Sequence, residues 1–391
     1  MPDLKFKIRS WSLTVYLGII AALIGLLLRS YFVWPQAFNF RFMLHAHSHA
    51  MLLAWLLGAL ILIIYQQWEI KLSQSTKILF YGLALSVVGM LCSFPFQGYA
   101  AISISFSTLH LWLSYVLFYR LFRALKNRGP SAKLLRTGIV LFYLSSLGPY
   151  CLGPLMANEM QSSPWYDQAI YFYLHFLYNG SFFFFLLAII VHKLKLFSDG
   201  KGFQHFYLPM LWGSIFSYAL NLEYSFDQSW IYLLAALGST AQLYAGIRFI
   251  KAVFRKRISN HLKLILFLLF FKWIFQILGS TPLIAEQIQF NRFLLIAYLH
   301  FIFLGIYTPF IWEMLKKRIP AFNKWMIAYW LLFILSEIAL IAPSLKLTPG
   351  FQSWPILTFY IYAGFVSIWL ILAFSYLKNL RKNTSYHLES N

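Results

Sequence analysis

Leu44-His-Ala-His47-Ser-His-Ala-Met-Leu-Leu-Ala-Trp-Leu-Leu-Gly-Ala-Leu-Ile-Leu-Ile-Ile-Tyr-Gln66 contains no Asp, Glu, Lys or Arg over its whole length. Coiled as an α-helix, a stretch of this length reaches about 34 Å. The hydrocarbon core of a bilayer is about 30 Å thick. The stretch therefore reads as a membrane span with histidines at its start. The rest of the chain has the same character. Of its 391 residues 60% are hydrophobic and 20% aromatic, while 11% are charged. Soluble domains carry about 25% charged residues. The mean hydropathy of +0.67 agrees. Such a composition excludes a secreted disulfide scaffold, a disordered tail protein and an ordinary cytosolic enzyme.

Applying a length of about 20 apolar residues per span gives twelve, near 11–33, 44–66, 77–95, 102–124, 134–156, 168–192, 206–222, 229–250, 261–280, 291–315, 321–343 and 355–377. The connections are short, so residues 1–391 read as a single all-α transmembrane domain. Lys5, Lys7 and Arg9 precede the first run as they would in a signal peptide. That run is about 23 residues long and many follow it, so it reads as a retained helix. The net charge of +21 does not point to nucleic acid, because the basic residues occupy gaps between apolar runs. Alternate gaps collect 27 of the 32 Lys and Arg residues, which by the positive-inside rule makes both termini cytoplasmic. The expected setting is a bacterial inner membrane. The two cysteines, Cys92 and Cys151, are too few for a thiolate cluster or a disulfide framework.

With both termini inside, even-numbered spans begin at the outer face. His45, His47 and His49 then open span two, His110 lies on span four, His175 on span six and His300 on span ten. Ionisable groups inside a membrane are rare and usually face a bundle interior. One such histidine is most simply a hydrogen-bonded packing residue, but six at similar depth point to a metal or haem site, for which neutral imidazole is a common ligand. His45 and His49, four apart, share a helix face. His47 points roughly the opposite way, so the three cannot all serve one centre. Lys272 in span nine and Glu337 in span eleven are further intramembrane charges, expected to pair with each other or to line a proton path.

This pattern resembles subunit I of the haem–copper oxidase superfamily, closest in its nitric-oxide-reductase and cbb3-type branches. It also resembles the NnrS family of haem- and copper-containing membrane proteins. In span two, His47-Ser-His-Ala-Met-Leu-Leu-Ala-Trp-Leu-Leu-Gly-Ala-Leu60 is similar to the segment whose histidine ligates a low-spin haem. In span ten, Ala297-Tyr-Leu-His300-Phe-Ile-Phe-Leu-Gly305 is similar to the family's His-x-His stretch, with Tyr298 in place of the first histidine. In span six, Tyr171-Phe-Tyr-Leu-His175-Phe-Leu-Tyr178-Asn179-Gly180 is similar to the segment that gives the first copper ligand, with Tyr178 one position short of the family's tyrosine. Span seven departs from the family, because 206–222 contains no histidine. His110 has no counterpart there.

The resemblance implies one six-coordinate haem b held by His47 and His300, with His49 or His45 standing in for His47 if the register slips. Arg29, Arg41 and Arg292, at the outer ends of spans one, two and ten, would meet its propionates or else lipid phosphates. His110 and His175 would serve a second haem or a divergent copper or non-haem iron centre, with Tyr178 or Tyr298 offering a proton or hydrogen bond. The implied activity is an oxidoreductase-like handling of electrons and a diatomic gas, nitric oxide favoured over oxygen, fed by a cytochrome or quinol donor. The alternatives are a transporter for copper or another cation and a non-catalytic respiratory assembly subunit. Paired half-sequences typical of transporters are not evident.

Overall fold

The computed structural model describes residues 2–125, 129–197, 200–222, 226, 228–345, 347 and 353–389. These residues form an all-α bundle in which eleven helices are long and apolar enough to cross a membrane. In chain order they are α1 (Asp3–Ser30), α2 (Phe40–Gln67), α3 (Gln74–Gln97), α4 (Ala101–Ala124), α5 (Gly129–Ala157), α6 (Pro164–Leu194), α8 (Ser229–Phe254), α9 (Asn260–Gly279), α11 (Phe293–Arg318), α12 (Phe322–Ser344) and α13 (Trp354–Leu380). Two shorter helices complete the set, α7 (Gly200–Phe216) and α10 (Pro282–Phe290). The expected span at 206–222 falls on α7. This helix has 17 residues and tightens into a 3₁₀ turn at Ser217–Asn221. The tightening has a local cause. Ser214 and Ser217 turn their hydroxyls back onto the Met210 and Ser214 carbonyls.

Several helices begin before the apolar stretch that marks them, because a cap starts a helix whether or not it lies in lipid. Asn39 accepts a hydrogen bond from Phe42 N (3.1 Å) and so starts α2 at Phe40. Ser73 caps α3 through Thr76 N and Ser259 caps α9 through Leu262 N. These side chains satisfy N–H groups that have no partner within the helix. The early start of α2 moves its histidines inward. His47 is now seven residues past Phe40, and His300 seven past Phe293, so each lies about 10 Å along its helix. Three helices also contain a π-helical turn: Ala50–Leu57 in α2, His175–Ser181 in α6 and Phe303–Tyr307 in α11. All three are histidine-bearing helices. Turns of this kind are rare, and they are frequent at functional sites.

The helices fall into two compact units, Met1–Leu117 with Ile296–Asn391, and Phe118–Leu295. In the first, α2 is the most enclosed helix, with 78% of its most apolar stretch buried. Its Trp55 meets Trp312 of α11 and Trp369 of α13, with ring centroids 4.9–5.6 Å apart. Trp55 Nε1 donates to Thr308 Oγ1 (3.1 Å). Gly18 of α1 closes this cluster. A Cβ there would stand 2.9 Å from Trp369 and 3.2 Å from Trp55, so only hydrogen fits.

In the second unit α6 is the central helix, with 94% of its apolar stretch buried. It packs on α5, while α7 packs on α8 and α8 on α9. Gly213 and Gly238 let α7 and α8 approach closely, since a Cβ on Gly213 would lie 2.7 Å from the Gly238 carbonyl oxygen. Small residues at crossings are the usual means of bringing helices together in lipid.

Candidate functional site

The histidines of the first unit separate into two groups on opposite sides of α2. On one side, His47 Nδ1 lies 2.7 Å from the Ala21 carbonyl of α1. A carbonyl can only accept, so Nδ1 carries the proton and Nε2 keeps a lone pair. Gly25, one turn further along α1, makes room for this ring. A Cβ at that position would stand 2.7 Å from His47 Cε1. Gly25→Leu is therefore expected to displace the His47 ring, and the measurement is the proton chemical shift of that imidazole in labelled protein. An unchanged shift would contradict the packing.

His300 of α11 belongs to the same side. Its Nδ1 lies 3.0 Å from Tyr362 Oη of α13 and 4.0 Å from Glu337 Oε1 of α12. In the tautomer with its proton on Nδ1, His300 donates to Tyr362 and leaves Nε2 with a lone pair. The Arg29 guanidinium sits 4.5 Å from the centroid of the Tyr362 ring. Arg29 and His47 both lie close enough to His300 to act electrostatically on its ring. Glu337 Oε1 is buried and makes no hydrogen bond among the described residues.

The other side of α2 carries His45 and His49, together with His110 of α4. His49 is fully engaged. Its Nδ1–H donates to the His45 carbonyl (2.9 Å) and its Nε2 accepts from the Tyr99 hydroxyl (3.1 Å). The His45 ring packs on Tyr99 and Phe94, at 4.6 and 5.9 Å between centroids. His110 is 3% exposed, and its Nδ1 lies 3.4 Å from Ser114 Oγ, whose hydroxyl donates to the His110 carbonyl. His110 also lines an apolar cavity of about 40 Å³ with Thr14, Leu53, Leu57 and Val87. A cavity of that size suits a water molecule or two and no porphyrin.

His175 lies in the second unit at the start of the α6 π turn. Its Nε2–H donates to the Ser214 carbonyl (2.9 Å), and its Nδ1 accepts from the Asn221 amide (2.9 Å). Both nitrogens are used, which fixes a neutral tautomer and leaves no lone pair for a metal. Tyr178 is buried in the same turn. Tyr298 is half-buried on α11, two residues before His300 and so on a different face of the helix.

Of the arginines expected near a cofactor, Arg41 is exposed and lies near His45. The side chain of Arg292 lies outside the described residues. Arg29 is the one beside His300. Lys272 is bonded to Gln276 in the second unit, and Glu337 faces His300 in the first.

Among the described residues no three His, Cys, Asp or Glu side chains gather as a group able to hold a metal ion. His47 and His300 each direct Nδ1 at an oxygen, which in the Nδ1–H tautomer keeps Nε2 for a ligand. Imidazole nitrogen is a donor type that haem iron takes. Tyr362, Tyr99 and Asn221 had no mark in the sequence. Each acts from a different element, and no local motif announces them.

No protein-family model matches the chain, and no curated protein is significantly similar to it.

Proposed function

We propose that this multi-spanning membrane protein is a haem protein in which His47 and His300 would hold one haem b through their imidazole nitrogens. One observation carries the reading: both residues direct Nδ1 at a neighbouring oxygen, Ala21 O and Tyr362 Oη, and so present Nε2. Ligating histidines characteristically hold their second nitrogen in this way, which fixes the tautomer and the ring orientation. Arg29, over the Tyr362 ring, would be the cation to meet a propionate. Bound haem supplies a one-electron carrier at this position. Ala21 and Gly25 seat the His47 ring, and Tyr362 bonds that of His300, with the Glu337 carboxyl 4.0 Å away.

The finer reading is an oxidase-like bundle of twelve spans with cytoplasmic termini in a bacterial inner membrane. It would take electrons from a cytochrome or quinol and bind a diatomic gas, nitric oxide in preference to oxygen. Its support is the resemblance of spans two, six and ten described above.

The test is a reduced-minus-oxidised spectrum of protein purified after haem-sufficient expression, recorded with and without nitric oxide and alongside metal analysis. A Soret band with low-spin features and one iron per chain is the expected result. Protein that folds without a Soret band would overturn the reading.

A further inference from the structure

The second unit buries a cation for which its described residues supply no anion. Lys272 lies mid-way along α9 and is 1% exposed. Its Nζ donates to Gln276 Oε1 one turn on (3.1 Å) and lies 5.1 Å from the centroid of the Phe183 ring. An ammonium has three donors, so an amide oxygen and an aromatic face satisfy it only in part. The described acids of this unit are Glu159, Asp167 and Glu286, and none is buried. Asp199, Glu223 and Asp227 lie outside the described residues. His175 is near enough to Lys272 to interact with it electrostatically. Its two hydrogen bonds require the neutral ring, so it contributes no negative charge. The next residue in the chain carries another donor. Trp273 is fully buried, its ring centroid lies 6.3 Å from that of Phe183, and its Nε1 has no partner among the described residues.

A charge held in apolar surroundings without a counter-charge is costly, and intramembrane charges usually mark a pathway or a ligand. We propose that Lys272, beside Phe183 and Trp273, binds a small monovalent inorganic anion such as chloride or nitrate. A single negative charge balances a single ammonium. A divalent oxyanion would leave an excess charge buried and would be harder to strip of water. Phe183, whose ring faces the ammonium, is 1% exposed, which favours an ion over an organic acid. The inference does not depend on haem.

Thermal unfolding of the purified full chain in detergent tests it, in nitrate, chloride and gluconate salts of equal ionic strength. The wild type is expected to gain several degrees in nitrate or chloride over gluconate, and the gain is expected to grow with the logarithm of anion concentration, as binding to the folded state requires. Lys272→Met removes the charge and is expected to abolish the gain. Lys272→Gln is the second variant, should the methionine protein not fold, and is expected to behave the same way. Coincident wild-type midpoints in all three salts overturn the proposal. So does a variant that keeps the full gain. Failure of the haem reading changes neither result.

Discussion

Replacing His47 with alanine is expected to abolish the low-spin haem spectrum of the purified protein, and replacing His49 is expected to leave it intact. The two residues lie one helical half-turn apart on α2 and differ only in what surrounds them. His47 gives its Nδ1 proton to the Ala21 carbonyl and retains a nitrogen lone pair. His49 uses both nitrogens, one on the His45 carbonyl and one on the Tyr99 hydroxyl. His300→Ala is expected to match His47→Ala, since each would supply one of two axial ligands. His175→Ala is expected to keep the spectrum and lower stability by about 1–3 kcal/mol, the usual range when buried hydrogen-bonding groups lose their partner. Here the Ser214 carbonyl and the Asn221 amide are the groups left. The measurement is the Soret absorbance per chain at matched expression and folding. A spectrum that survives both His47→Ala and His300→Ala would remove the ligand assignment. Equal loss in all four variants would show that the effect is on folding.

The second large effect is on stability. Trp55→Ala is expected to cost about 3–5 kcal/mol, the range for deleting a large buried aromatic. Trp55 is fully buried, touches Trp312 and Trp369, and donates to Thr308. Its loss opens a space bordered by two rigid indoles, which cannot collapse into it as a leucine or methionine would. Unfolding in a graded series of denaturing detergent, followed by tryptophan fluorescence and by protease resistance, reads the change. A shift below about 1 kcal/mol would mean that the cluster is not the packing centre of its unit.

The spans were legible in the sequence because each sums the same signal over about 20 residues. One charged residue hardly changes such a sum. The ends were less so. The helix that carries Lys5, Lys7 and Arg9 runs through them from Asp3, because backbone hydrogen bonding continues where hydropathy has already fallen. The span expected at 206–222 is a helix of 17 residues with a tightened end. The division of α2 into a His47 face and a face shared by His45 and His49 followed from spacing alone. Which nitrogens of His47, His49 and His300 are engaged did not. That depended on the Ala21 carbonyl, on Tyr99 and on Tyr362, which are contributed by other helices. Nor did anything in Ala50–Leu57 announce a π turn, since its alanines, leucines and single tryptophan suit an ordinary α-helix equally well.

That turn makes α2 a helix with a phase step. A π turn holds about one residue more than the α turn it replaces, and one residue is worth about 100° of rotation. Everything before Ala50 is thereby swung around the axis relative to everything after Leu57. Trp55 and the half beyond it are anchored by packing, so the surplus residue decides which way the imidazole-bearing half is aimed. A chain one residue shorter between these points would keep its hydrophobicity and its length across the bilayer. It would nevertheless turn His47 away from Ala21, and that hydrogen bond would be lost to a change that leaves the composition of the span almost untouched.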